Sequence, residues 1–282
     1  MIIVVCRIRK TGDVMINNHY ALQRKTGGIV LSPNDSRDLN EYLMSCDIHV
    51  VDYLEPRALI EPLSQEQINS HITLISEFHQ KTMGLSGFTG GRIDNCTGKK
   101  VEQFKVYIKK LKRDIKRINT NGPLNAFEEI VMEKAPEYLE RAENCIKVIY
   151  DNGYFKLIER SMKRNELCLG NAYVDNLVKD GVIKIRSTKK LCYNMVECDL
   201  VYFLGKLKRR MKKTMLMESI IEFCRLEELD ESSERFILAS LSYPSEFMKT
   251  CEKHRCGKKN WDDNEYIKKL ISSIEKDGEF LL

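Results

Sequence analysis

The stretch Leu167-Cys168-Leu169-Gly170-Asn171-Ala172-Tyr173-Val174-Asp175-Asn176-Leu177 decides how this chain is read. It follows a helical stretch over Tyr154 to Arg164 and precedes short strands around Leu177 to Ile185. By position it is therefore a helix-to-strand junction. Asn171 follows Gly170 directly. An amide has no basic site comparable to a carboxylate, so Asn171 cannot take the proton of a substrate hydroxyl at neutral pH. Downstream, no carboxylate lies between Gly181 and Met195.

Working outward from this junction, the helical period dominates from Gln65 onward. Ile68, Ile72, Ile75 and Phe78-His79 share one face. Val101, Phe104, Ile108, Leu111, Ile115 and Ile118 repeat at three- and four-residue steps, which predicts an amphipathic helix. Its other face carries Lys105, Lys109, Lys110, Lys112, Arg113, Lys116 and Arg117. Further helices are expected over Phe127 to Asp151, Asp199 through Cys224, Glu231 to Leu241 and Asp263 to Lys276, with a glycine-rich loop over Met83 to Thr97. The first sixty or so residues read differently. Ile2 to Ile8 is a β-branched run, His19 to Leu31 a hairpin turning at Gly27-Gly28, and Ile48 to Leu54 another strand, with a short helix over Asp35 to Leu43 between them. Pro56 and Pro62 bracket a linker. The pattern is α+β, strands first and helices after.

Composition excludes several classes. With 282 residues, 43% hydrophobic and 31% charged, the chain can bury a large core and is not wholesale disordered. A net charge of +5 is mild and does not require nucleic acid. No apolar run approaches the roughly 20 residues that span a bilayer. Met1 to Cys6 lacks a preceding basic region and runs into Arg7, which reads as a first strand rather than a signal peptide. The ten cysteines include no C-x-x-C pair and sit mostly in apolar patterns, so no disulfide framework is expected.

The loop resembles the catalytic loop of aminoglycoside and choline kinase-like phosphotransferases, which reads His-Gly-Asp, four residues, then Asn. Gly170 and Asn176 match that frame, while Leu169 stands at the histidine position and Asn171 at the catalytic aspartate. The resemblance places Arg186, in Lys184-Ile185-Arg186-Ser187-Thr188, where the family has a magnesium-binding aspartate, and a cation there would repel the metal. It places Ser32, after Gly27-Gly28-Ile29-Val30-Leu31, at the phosphate-pairing lysine. Asp199 matches a family aspartate that opens a helix and braces the catalytic loop; local chemistry alone makes it an N-cap. The chain as a whole is similar to CotS-type spore coat proteins, a branch of the same superfamily. The residues that carry this are Ile75 to Gln80 before Gly84, Leu167 to Leu177, Asp199 to Lys208, and Tyr243 to Phe247 followed by Lys258-Lys259-Asn260-Trp261.

The resemblance implies a two-lobed, protein kinase-like α+β fold, with a small strand-rich lobe over 1–63 and a large helical lobe over 64–282. It implies a pseudokinase without catalytic residues, metal or nucleotide. Such a protein would be made in the cytoplasm of a sporulating cell and assembled with other spore coat proteins, with no membrane or nucleic acid partner. Two rivals stand beside it. A working small-molecule kinase would have to recruit Asp175, Asp180 or Glu197 as base or metal ligand. A polyanion-binding module would use the basic helical faces. The plainer readings are that His79 packs or caps at a helix end, that Cys251, His254 and Cys256 lie on a surface helix rather than on a metal, and that Lys206, Lys208, Arg209, Arg210, Lys212 and Lys213 form a solvated helical face.

Overall fold

The structure is a computed structural model that describes residues 39–54, 59, 62–85, 93–257 and 261–282. The first strand, the Gly27-Gly28 hairpin, Ser32, Pro56 and Lys258-Lys259-Asn260 lie outside the described residues, and with them most of the small lobe expected over 1–63.

The described chain opens with helix α1 (Leu39–Ser45) and strand β1 (Ile48–Val50), a shorter strand than the pattern to Leu54 suggests. Helix α2 (Gln65–Thr82) starts where the helical period starts. Ser64 accepts the backbone N–H of Gln67 and Gln67 reaches back to the Ser64 N–H, a closed capping box. Inside the expected loop over Met83 to Thr97, strand β2 (Asp94–Asn95) forms. Helices α3 (Lys99–Asn121) and α4 (Ala126–Asp151) make a hairpin, followed by α5 (Tyr154–Arg164). Strands β3 (Leu167–Cys168), β4 (Leu177–Asp180), β5 (Val182–Ile185) and β6 (Cys192–Tyr193) flank the junction.

The expected helix from Asp199 through Cys224 is broken. Helix α6 (Glu197–Leu207) tightens into a 3-10 turn at Lys208–Arg210, and α7 (Lys213–Leu226) begins anew. Lys208 explains why the basic run is not one solvated face. Its ammonium points inward and donates to the carbonyls of Leu241 and Asp277, both at 2.9 Å, and burial lowers its pKa. Helices α8 (Glu231–Ser242), α9 (Ser245–Cys256) and α10 (Asp263–Asp277) complete the chain. No helix among the described residues is long and apolar enough to cross a membrane.

Two small sheets hold the junction. β1 pairs in parallel with β5, Ile48 opposite Ile183 and Val50 opposite Ile185, and β5 pairs antiparallel with β4. β6 lies between β2 and β3, with Cys168 opposite Cys192. The core divides in two. One cluster, with Ile72, Phe78, Leu169, Phe203 and Phe223, lies beneath the junction; the other, with Phe104, Tyr138, Phe236, Tyr243 and Phe247, joins α3 and α4 to the C-terminal helices.

Candidate functional site

The site is the segment from Leu169 to Asn176, and its backbone is fixed from below. Asp199 lies in the first turn of α6, two residues inside its start, so it is not the N-cap that local chemistry suggests. Its carboxylate leaves its own helix and accepts the N–H of Leu169 at 2.7 Å and of Gly170 at 2.8 Å. Such charge-assisted bonds contribute roughly 1.5–3 kcal/mol each. Leu169 is fully buried in the core, which suits its apolar side chain. Gly170 has φ +69°, and a Cβ built there would meet the Lys190 carbonyl oxygen at 2.3 Å, so only glycine fits.

His79 backs Asp199. It is fully buried on α2 and donates through Nδ1 to Glu227 at 2.7 Å and through Nε2 to Asp199 at 3.1 Å. Burial opposes the charged ring, but the two carboxylates outweigh it and lift its pKa to about 10. The plain reading of His79 as a packing residue is therefore incomplete, because it is an imidazolium held between two acids. His71, two turns earlier on α2, behaves oppositely. Burial lowers its pKa to about 4, and its neutral ring donates to the Ala172 carbonyl at 2.9 Å.

Asn176 ties the far end of the loop. Fully buried, it donates through Nδ2 to the carbonyls of Asn171 at 2.9 Å and Ser187 at 3.2 Å, while its backbone carbonyl accepts the Arg186 N–H at 3.1 Å. Asn171 and Arg186, 15 positions apart in sequence, are thus brought to one place by Asn176.

The outward side of the loop is different. The Arg186 guanidinium lies 3.9 Å from Asp175 Oδ2, with the side chains 45% and 46% exposed. This is a loose, solvated pair worth little. Glu197 is buried elsewhere, with Arg160 at 2.8 Å and the Ser233 hydroxyl at 2.7 Å. Asp180 is on the hairpin with Lys184 at 2.7 Å. The three carboxylates that a displaced kinase would need are therefore in three separate places. Asn171 Oδ1, Asp175 Oδ1 and Asn176 Oδ1 are buried acceptors with no hydrogen-bond donor. Oxygens of this kind suit a cation, yet Arg186 already brings positive charge against Asp175.

Among the described residues, His79, Cys168 and Asp199 bring donor atoms within 4.8 Å of one another. Both ring nitrogens of His79 are taken by carboxylates. Burial pushes the Cys168 thiol well above its ordinary pKa, and the thiol donates to the Met195 carbonyl at 3.1 Å. A metal would need that thiol deprotonated and His79 neutral, so the trio is a support and not a ligand set. Cys251, His254 and Cys256 do not converge. Cys251 lies on the buried side of α9, His254 stacks on Phe127 at 4.0 Å, and Cys256 is exposed.

A cleft of about 690 Å³ opens beside the loop between α2 and β4, lined by His71, Leu74, Glu77, Val174, Leu177 and Lys179 among others. Neither Asn171 nor Arg186 is part of its wall. Glu77 and Lys179 pair across it at 2.7 Å. The sequence reading missed His71, Glu227 and the Arg160, Glu166 and Glu197 cluster. Polar residues at apolar-face positions, such as His71 and His79 on α2, were the available signal.

No family model matches the sequence, and no curated protein matches it either. A crystal structure of an aminoglycoside phosphotransferase from Alicyclobacillus acidocaldarius is similar, with a TM-score of 0.60 and 14% identity over 77% of this chain. The match spans 65% of that protein's length. At this identity the likeness shows the fold alone: mixed α+β and kinase-like, with a small strand-containing region and a larger helical one.

Proposed function

We propose that the chain is a non-catalytic, kinase-like protein that serves as a structural or assembly component of a bacterial spore coat. What supports the first half is the contrast within one loop. Asp199 grips the backbone at Leu169 and Gly170, while Asn171 and Arg186 stand where the phosphotransferase resemblance expects carboxylates. Removing a general base typically costs 10²–10⁴ in rate, and losing a metal's charge stabilisation raises the barrier by several kcal/mol more. The second half rests on the resemblance to CotS-type coat proteins in Ile75 to Gln80, Asp199 to Lys208 and Tyr243 to Phe247. The partners would be other coat proteins.

Calorimetric titration with ATP and Mg²⁺, paired with turnover assays on aminoglycosides, choline-like amines and sugars, tests the first half. No magnesium-dependent heat and no turnover are expected. A millimolar or tighter Mg·ATP complex overturns it. For the coat role, the protein should fractionate with insoluble coat material, and recovery wholly in the soluble fraction of sporulating cells overturns that part.

A further inference from the structure

The outer surface of the α3–α4 hairpin carries two charge ladders of opposite sign. On α3, Lys109, Arg113 and Lys116 are exposed at steps of four and three residues. Their neighbours are used internally: Lys105 pairs with Glu102, Lys112 with Glu143, Lys110 with Glu252 and Arg117 with Glu128. Lys109, Arg113 and Lys116 have no such acidic partner among the described residues. They rim a cavity of about 570 Å³ whose floor is Ile108 of α3 and Ile146 of α4. On α4, Glu133, Glu137 and Glu140 are exposed at the same steps of four and three, and among the described residues only Glu133 is in an ion pair, with Lys134 at 2.9 Å. A helix rises 1.5 Å per residue, so each ladder climbs roughly 6 Å and then roughly 4.5 Å.

We propose that this hairpin face is a self-association surface, on which the cationic ladder of α3 in one copy docks against the acidic ladder of α4 in a second copy of this chain. The two signs side by side select that occupant. A nucleic acid or an anionic membrane would meet the α4 carboxylates along with the α3 cations and be repelled by half of the face. A purely acidic peptide would satisfy α3 and leave α4 exposed. A second copy offers both ladders with the same one-turn step, and its helices cover the apolar floor at Ile108 and Ile146. Because the ladders lie on adjacent helices of one hairpin, a single interface can use both pairings. The inference is independent of what the loop at Asn171 does.

Sedimentation velocity of the full chain tests it. At low ionic strength, where screening reaches about 30 Å at 0.01 M, the protein should self-associate with rising concentration, and at 1 M salt, where it falls to about 3 Å, it should return toward monomer. Lys109→Glu with Arg113→Glu, and separately Glu137→Lys with Glu140→Lys, should each weaken association at least tenfold. Mixing the two variants should restore it, because one then presents acid on both helices and the other base on both. Restoration also shows that both variants are folded, and the milder pair Lys109→Gln with Arg113→Gln should give an intermediate loss. A wild type that stays monomeric at low salt overturns the inference, as does association untouched by either reversal or a mixture no stronger than its parts. Binding of acidic-lipid vesicles by a monomeric wild type, lost in the Lys109→Glu and Arg113→Glu variant, would reassign the face to a membrane.

Discussion

The underside and the outer face of one loop obey different rules. Beneath Leu169 and Gly170, Asp199, His79 and Glu227 are buried, bonded at 2.7–3.1 Å, and held by charge-assisted hydrogen bonds. On the outer face, Asn171, Asp175 and Arg186 are partly exposed, with Asp175 and Arg186 3.9 Å apart and the Oδ1 atoms of Asn171 and Asp175 left without donors. Support of this kind is expensive to lose, since breaking a buried pair strands a charge in a low-dielectric interior. A surface ion pair contributes at most about 1 kcal/mol, so such residues can change without cost to the fold. The difference teaches that the backbone of this loop is under strong energetic constraint, while the side chains on its outer face carry almost no stability.

Removing the acid beneath the loop should have the largest effect. Asp199→Ala strips two backbone N–H groups of their acceptor and unbalances His79. We expect a loss of about 3–5 kcal/mol, read as a fall in Tm by thermal denaturation. An unchanged melting curve would erase the contrast between the two faces.

Next comes the backbone that the support holds. Gly170→Ala forces a left-handed conformation on a residue with a Cβ, about 1–2 kcal/mol, and drives that Cβ against the Lys190 carbonyl for a further ~1–3 kcal/mol. A substitution tolerated within a few tenths of a kcal/mol in a denaturant titration would show that the loop rearranges freely.

Alkaline pH should loosen the underside alone. The folded pKa of His79, about 10, lies above its ordinary 6.5, so the stability it contributes is fully present below pH 6.5 and is lost as pH rises through about 10. Deprotonation leaves one of its two carboxylate bonds without a proton, a loss of roughly 1.5–3 kcal/mol. Comparing Tm between pH 7 and 10 for wild type and His79→Gln should show a steeper fall in the wild type. Parallel curves would mean that His79 is neutral throughout.

The smallest effect belongs to the outer face. Arg186→Ala should change stability by less than about 1 kcal/mol, since its partner Asp175 is half-exposed at 3.9 Å. The pair Asn171→Asp with Arg186→Asp should likewise leave Tm near wild type and produce no ATP turnover, because positioning supplies much of the catalysis in phosphoryl transfer. A large drop in Tm, or turnover well above background, would show that the outer face does more than occupy space.

The long helices were legible because each buries one periodic face: Val101, Phe104, Leu111 and Ile118 on α3 are buried as their spacing predicts. The two-residue strands β2, β3 and β6 were not, since a strand that short has no period and exists only through its pairing. Asp199 shows the limit most sharply. An aspartate at the start of a helix reads as an N-cap, and only the approach of Leu169 and Gly170 from 30 positions away turns its carboxylate outward. The break at Lys208 was hidden for the same reason, because a lysine in a basic run reads as solvated until the Leu241 and Asp277 carbonyls arrive beside it.

The sequence by itself determined which functional groups exist. An amide at 171, a guanidinium at 186 and a glycine at 170 are covalent facts, and their chemistry follows from residue type. Which groups are charged, and what they hold, was decided by the tertiary structure. His79 and His71 are the same residue two turns apart on one amphipathic helix, yet one is lifted to about 10 and the other lowered to about 4. The cause is that Asp199 and Glu227, 120 and 148 positions away, reach the first and not the second. Electrostatic energy depends on distances of a few ångströms between groups far apart in the chain, and folding alone sets those distances.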